Sequence, residues 1–109
     1  MNNCIFCKII NGELPSKKRF EDDNIIAIND INPVRKTHIL FIPKKHTDSF
    51  EDITDDNIFP SIRIAAQKLI NEEELGGKGY KIVVNGGGAQ VINHLHFHLI
   101  GPIGLKAKL

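Results

Sequence analysis

The stretch His94-Leu95-His96-Phe97-His98-Leu99-Ile100 decides the fold predicted for this chain. Successive side chains of a β-strand point to opposite faces, so we predict a strand over residues 93–100. Its residues Leu95, Phe97 and Leu99 are apolar and would pack on the core, while its three histidines would share the other face. Three of the chain's five histidines lie here, and this clustering favours a functional site over a solvated polar strand surface.

The spacing of the three histidines limits what they can do together. Neighbours on one strand face are about 6.6 Å apart at Cα, and the outer pair is about 13 Å apart. One metal ion with ligand bonds of about 2 Å could hold two neighbours but hardly all three. At least one histidine should therefore have a separate role.

The loop before this strand, Asn85-Gly86-Gly87-Gly88, is rich in glycine. Glycine lets a backbone approach a ligand closely, and the N–H groups of such a loop can point at an anion. Beside a histidine strand, the loop suggests a phosphate site. A plain flexible turn is the alternative.

The rest of the chain reads as grouped strands around one main helix. We predict strands over 25–28, 37–42 and 80–84, with a possible additional strand over Lys18–Glu21, and a short helix over 4–11 that Gly12 would end. A long helical pattern covers 53–71, with Thr54 or Asp55 as its cap, and Pro60 should bend the helix or delay its start. The order predicts an α+β fold with an antiparallel sheet.

Length and composition place the chain among small globular proteins. Its 109 residues predict one domain over 1–109, with a tail over 103–109 that lacks periodicity and is a candidate for disorder. Fourteen basic and 13 acidic residues give a net charge of +1, which argues against nucleic-acid or membrane partners. No secretory signal is recognisable, so we expect a cytoplasmic location.

Several further motifs occur in the order found in one known family. With these motifs and the stretch His94–Ile100, the sequence resembles the histidine triad family. It is most similar to the nucleotide-binding, Hint-like branch and to the bacterial type with Cys-x-x-Cys. The resemblance covers nearly the whole chain and rests on Phe6-Cys7-Lys8-Ile9-Ile10, Phe20-Glu21-Asp22-Asp23, Asp30-Ile31-Asn32-Pro33, Thr37-His38 and Ile42-Pro43-Lys44-Lys45-His46.

The resemblance implies a reaction at the triad. His96 would attack the α-phosphorus of a nucleoside phosphoramidate or a related nucleotidyl conjugate, and water would hydrolyse the nucleotidyl-histidine that forms. Imidazole suits this step because its neutral form offers a nitrogen lone pair. His98 would contact the phosphate and assist proton transfer to the leaving group, and His38 would orient the triad.

The resemblance also implies a site for a purine nucleotide. Asp30 would accept hydrogen bonds from the ribose, and Asn85 would contact the sugar or phosphate. The remaining implied nucleotide-binding residues are the apolar Phe6, Ile9 and Ile31 around the base, and Ala89, Gln90 and Val91 in the loop before the triad. That loop is shorter than usual for the family.

Two residues in this loop depart from the family pattern. Ala89 replaces a glycine, and Val91 replaces a residue that often carries a hydroxyl. If that hydroxyl acts in the transition state, its loss could cost roughly 10²–10³ in rate.

Cys4 and Cys7 form a Cys-x-x-Cys pair. In a reducing compartment such a pair is more typical of metal ligands or thiols than of a disulfide. The resemblance implies that His46 and His94 complete a structural zinc site that pins the N-terminal segment to the sheet. Two reduced, unliganded thiols are the alternative.

The resemblance implies a homodimer in which two five-stranded sheets join into one ten-stranded sheet. Two other functions compete with the hydrolase. One is a nucleotide- or partner-binding module with little or no catalysis. The other is a metalloenzyme that uses His96 and His98 as ligands, with His38 as a third.

Overall fold

The structure, a computed structural model, describes residues 3–109. Five antiparallel strands form one sheet in the order β1-β2-β3-β5-β4. The elements along the chain are α1 (Ile5–Ile10), β1 (Lys18–Glu21), β2 (Ile25–Asn29), β3 (Thr37–Pro43), a 3₁₀ turn (Phe50–Asp52), α2 (Ile58–Glu72), β4 (Lys81–Val84) and β5 (Phe97–Gly101). The predicted α+β fold is confirmed, including strand β1, the long helix and the short N-terminal helix.

Helices cover both faces of the two central strands, β2 and β3. Alternate residues of these strands, among them Ile25 and Phe41, pack with α2. The residues between them, among them Ile26 and Leu40, pack with Phe6 and Ile9 of α1. Because both faces are buried, β2 and β3 are continuous apolar runs in the sequence rather than alternating ones.

Helix α2 begins at Ile58, later than the predicted residue 53. Pro60 is the third residue of α2, within the first turn, where backbone N–H groups have no intrahelical acceptor and proline costs little. The predicted caps, Thr54 and Asp55, are wrong, because Asn57 occupies the cap position. The Asp55 carboxylate instead accepts a hydrogen bond from the backbone N–H of Asn57.

The regular part of the histidine strand is shorter than predicted, because β5 begins only at Phe97. Just before it, the backbone N–H of Leu95 donates to the carbonyl of Thr47, which belongs to a loop rather than to a strand. The predicted alternation is nevertheless confirmed. Leu95, Phe97 and Leu99 belong to the cluster that packs on α2, and His98 pairs with Leu40, whose side chain packs on the α1 side.

The chain after β5 passes very close to the turn before β4. The backbone N–H groups of Ile103 and Gly104 donate to the carbonyls of Gly79 and Lys78. Gly79 has φ +82°, and a Cβ placed there would lie 1.8 Å from the carbonyl oxygen of Gly104. Only glycine fits at this contact.

No helix of residues 3–109 has the length and apolar character needed to cross a bilayer.

Candidate active site

A cavity of about 560 Å³ opens on the α1 side of the sheet. The structure brings nine of the predicted site residues to its wall: Phe6, Ile9, Asp30, Ile31, His38, Asn85, Val91, His96 and His98. The sequence-based prediction missed ten further lining residues, Ile5, Leu14, Pro15, Ser16, Ile28, Asn29, Asn32, Val34, Leu40 and Ile92. Most of these are apolar and flank the predicted residues in sequence, which is the one signal that could have pointed to them.

Two predicted ligand-binding residues, Ala89 and Gln90, are not among the residues that line the cavity. The buried side chain of Gln90 is used within the protein. Its Oε1 accepts a hydrogen bond from the N–H of Gly88 at 3.0 Å, and its Nε2 donates to the carbonyl of Asp48 at 2.8 Å. Gln90 therefore holds the loop through these two hydrogen bonds, and its predicted contact with a nucleotide stays a prediction.

Three amides of the glycine loop donate to acceptors within the protein. The N–H of Gly87 donates to Ser49 Oγ at 2.9 Å, that of Gly88 to Gln90, and that of Ala89 to the carbonyl of Gly86. Ser49, Gln90 and Gly86 therefore supply acceptors for these three N–H groups inside the protein, which favours the plain turn that the sequence left as the alternative. The loop's glycines serve its tight turn, with φ of +65° at Gly87 and +99° at Gly88.

His96 has one ring nitrogen fixed and the other available. Its Nδ1 lies 2.8 Å from the backbone carbonyl of His94. A carbonyl can only accept, so Nδ1 carries the proton and Nε2 carries the lone pair. The Phe6 ring packs edge-on against the His96 ring at 5.0 Å between centroids. The histidine is thereby buried and held in one tautomer, with Nε2 as its nucleophilic atom.

His38 and His98 form a part-buried chain of hydrogen bonds. Burial lowers the pKa of His38, and the nearby Asp30 carboxylate opposes this shift. Burial is also the main cause that lowers the pKa of His98 to about 4, and the neighbouring His96 and His38 add to it. Both rings are therefore neutral at pH 7. His38 Nδ1 accepts from the N–H of Val34 at 3.1 Å, so its proton is on Nε2.

The tautomer of His38 sets that of His98. His38 Nε2 lies 2.9 Å from His98 Nδ1 and 3.3 Å from a carboxylate oxygen of Asp30. His98 Nδ1 thus accepts, and the proton of His98 is on Nε2. That nitrogen is buried and has no hydrogen-bond partner among the described residues. The chain Val34–His38–His98 therefore ends in an N–H donor on a residue that lines the cavity.

The four predicted metal ligands are brought together at the start of α1. The donor atoms of Cys4, Cys7, His46 and His94 all lie within 4.8 Å of one another. Cys4 is the N-cap of α1, and its Sγ is 3.2 Å from His94 Nδ1. Cys7 lies in α1 with its Sγ 3.2 Å from His46 Nδ1. The helix start and two distant loops meet at this point.

The surroundings of the two histidines fit a zinc ion. His94 Nε2 donates to the carbonyl of Pro43 at 2.8 Å, and His46 Nε2 donates to the Asp48 carboxylate at 2.7 Å. Each ring therefore turns its Nδ1 toward the sulfurs, and burial lowers the pKa of His94 to about 4. Two sulfurs and two nitrogens, with the outer nitrogens held by oxygen, form a donor set suited to tetrahedral zinc.

A second group of donor atoms lies at the cavity. Atoms of Asp30, His38 and His98 also lie within 4.8 Å of one another. His96 is not a member of this group, and the facing nitrogens of His38 and His98 are already at hydrogen-bond distance. The geometry therefore gives less support to a metalloenzyme that uses His96 and His98 as ligands than to a proton-sharing chain.

Comparison with known proteins identifies the family. Residues 3–107 match the family model described as "Scavenger mRNA decapping enzyme C-term binding". An uncharacterized HIT-like protein of Methanocaldococcus jannaschii is 46% identical over 99 residues, which cover 89% of this chain and 77% of that protein. The adenosine 5'-monophosphoramidase of Candida albicans is 40% identical over 105 residues, 90% of this chain and 69% of that enzyme.

A solved structure agrees. A HIT family hydrolase from Clostridium thermocellum has a TM-score of 0.89 and 42% identity, with 100% of this chain and 98% of that chain covered. The buried histidine pattern, the five-stranded antiparallel sheet and these relatives lead to one conclusion: the chain belongs to the histidine triad family.

Proposed function

We propose that this protein is a nucleotide-binding hydrolase that cleaves purine nucleoside phosphoramidates or related nucleotidyl conjugates through a nucleotidyl-histidine at His96. The observation that carries the proposal is the pairing of tautomers at the cavity. His96 offers an unprotonated Nε2, and His98, with its ring centroid 4.9 Å from that of His96, carries a proton on its Nε2. The name of the Candida albicans relative supports the substrate class.

The proposed reaction has two displacements at phosphorus. The His96 Nε2 lone pair forms a bond to the α-phosphorus while the bond to the amine breaks, and the amine leaves with the electron pair and takes up a proton from solvent, with His98 assisting the transfer. Water then attacks the same phosphorus, breaks its bond to Nε2 and gives up its own proton to solvent, which releases the nucleoside monophosphate. The N–H of His98 stabilises charge on the phosphoryl oxygens, because a fixed donor in a buried site needs no reorganisation during the step.

The cavity wall suits the rest of a nucleotide. Phe6 and Ile9 of α1 are buried and form an apolar surface for the base. Asp30 lies at the end of β2 with its carboxylate part-exposed, where it can accept from ribose hydroxyls. Ile31 and Val91 stand at the rim, 89% and 98% exposed, so a bound ligand would cover apolar surface that is now in water.

The test is release of AMP from adenosine 5'-phosphoramidate by the wild type and by His96→Ala. We expect at least a ~10³-fold fall in kcat for the variant, while AMP binding, measured by calorimetry, changes much less. The control is Gln67→Ala, which changes an exposed residue of α2 outside the cavity and should retain wild-type activity. Equal turnover by the wild type and His96→Ala would disprove the covalent step.

A binding module with little catalysis is the second candidate. Val91 has no hydroxyl to offer a leaving group, and the amides of Gly87, Gly88 and Ala89 are engaged inside the protein. If the wild type binds AMP but turns over no phosphoramidate, this candidate replaces the hydrolase.

We also propose that Cys4, Cys7, His46 and His94 hold a structural zinc ion. Zinc would cross-link the start of α1 to the segment before β5, and it would leave His96 and His98 to the substrate. Metal analysis should find one zinc per chain. The metal should be lost in the Cys4→Ser/Cys7→Ser double variant and retained in His96→Ala. Loss of the zinc in His96→Ala would instead support a metal at the cavity.

The homodimer and the cytoplasmic location stay predictions. Strand β4 is at one edge of the sheet and carries the half-exposed Ile82, which is compatible with extension of the sheet by a second copy. Light scattering on the intact chain should give twice the monomer mass, and Ile82→Lys should shift it toward the monomer. A monomeric wild type at micromolar concentration would contradict the dimer.

A further inference from the structure

Two side-chain atoms stand out among residues 3–109. Only Ser16 Oγ and His98 Nε2 are polar, buried and without a hydrogen-bond partner within that part of the chain. Both residues line the same cavity. A buried polar group without a partner is costly and rare in folded proteins. Two such groups at one cavity indicate a ligand that supplies both partners.

The two residues are far apart on the sheet. Ser16 lies two residues before β1, and His98 lies on β5. The strand order β1-β2-β3-β5 puts three inter-strand steps between them, or about 14 Å at the usual strand spacing. One phosphate group cannot reach both. The ligand must therefore be long, with polar groups toward both ends.

The surroundings of Ser16 are those of a base site. Leu14 and Pro15 precede it, and Phe6 and Ile9 form apolar wall in the same cavity. Apolar wall with one unpartnered hydroxyl suits a heteroaromatic ring whose edge carries donors and acceptors. A serine hydroxyl can both donate and accept, and it can move between three staggered rotamers to meet a ligand.

Resting on the function proposed above, we infer that the Ser16 hydroxyl is a specificity contact that reads the polar edge of the nucleobase. His98 binds the phosphate end of the same nucleotide, and Ser16 binds the base end. Because the hydroxyl serves as donor or acceptor, it favours any base with a polar edge over an apolar ring of the same shape.

The test compares two ligands and two proteins by calorimetry. The ligands are AMP and the ribonucleoside monophosphate of indole, which keeps the bicyclic shape, ribose and phosphate but has no polar edge atom. We expect Ser16→Ala to weaken AMP binding about 3- to 10-fold and to leave the indole nucleotide unchanged or slightly tighter. The wild-type preference for AMP should shrink accordingly.

Two further variants control the comparison. Ser16→Thr keeps a hydroxyl and should retain most of the preference for AMP. Leu14→Ala removes apolar contact and should weaken both ligands alike. If Ser16→Ala weakens the binding of both ligands equally, the Ser16 hydroxyl contacts the ribose and the inference is overturned. A wild type that binds the two ligands equally would overturn it as well. A wild type that binds neither nucleotide would overturn the proposed function as well.

Discussion

Replacing His38 by leucine should slow the reaction, although residue 38 acts through His98 and does not itself contact phosphorus. The substitution removes the donor 2.9 Å from His98 Nδ1, so His98 is no longer held with its proton on Nε2. The loss of one buried hydrogen-bond partner costs about 1–3 kcal/mol. If that cost falls on the transition state, kcat should fall about 5- to 150-fold. KM should change less, because Phe6 and Ile9 are unaltered.

The conservative variant His38→Gln separates orientation from bulk. A glutamine amide can donate to His98 Nδ1, so His38→Gln should recover part of the lost kcat. The assay is steady-state AMP release, combined with ¹⁵N NMR of the histidine rings. The wild type should show His98 protonated at Nε2, and His38→Leu should show a mixture. A kcat of His38→Leu within twofold of wild type, or a wild-type His98 protonated at Nδ1, would refute the role of the chain Val34–His38–His98.

Three further predictions concern stability, each measured by chemical or thermal unfolding. Gly79→Ala should lower the free energy of unfolding by about 3 kcal/mol or more, because the new Cβ meets the Gly104 carbonyl. Gly77→Ala has nearly the same φ of +80° but nothing within 4 Å of the new Cβ, and it should cost only about 1 kcal/mol. Equal costs for the two variants would contradict the close contact. Burial lowers the His98 pKa to about 4 from an ordinary 6.5, so as the pH falls the unfolded chain takes up this proton before the folded chain does. The free energy of unfolding is therefore fully present above pH 6.5 and should decrease as the pH falls toward 4. His98→Gln should lose less over that range, and an identical pH profile would contradict the shift. Chelation of the proposed zinc should lower the melting temperature by several degrees, and an unchanged value would argue for an unliganded cluster.

The fold could be predicted largely because periodicity and turn residues agree with the tertiary structure. The alternation at 94–99 survives even though β5 begins only at Phe97, since burial of alternate side chains does not require a regular ladder of hydrogen bonds. The start of α2 was harder to predict. The apolar pattern extends upstream of Ile58, and only the position of Pro60 indicated a later start.

The site was predicted unevenly for a physical reason. Residues on strands and helices, such as His96 and Phe6, could be placed because their elements fix the directions of their side chains. Loop residues could not: the Gly88 amide donates to Gln90, and the Gln90 side chain is in turn fixed by the carbonyl of Asp48, which is 42 residues away in the chain. No local sequence pattern records such a contact. Ser16 was missed because an isolated serine carries no signal until its burial and lack of a partner are seen.

The central claim is that His96 attacks phosphorus directly, and the stereochemical course of hydrolysis tests it best. The substrate is adenosine 5'-phosphoramidate made chiral by sulfur at the α-phosphorus and hydrolysed in ¹⁸O-water. Two successive displacements, first by His96 Nε2 and then by water, predict net retention of configuration at phosphorus. Net inversion would show a single direct attack by water and would contradict the nucleotidyl-histidine.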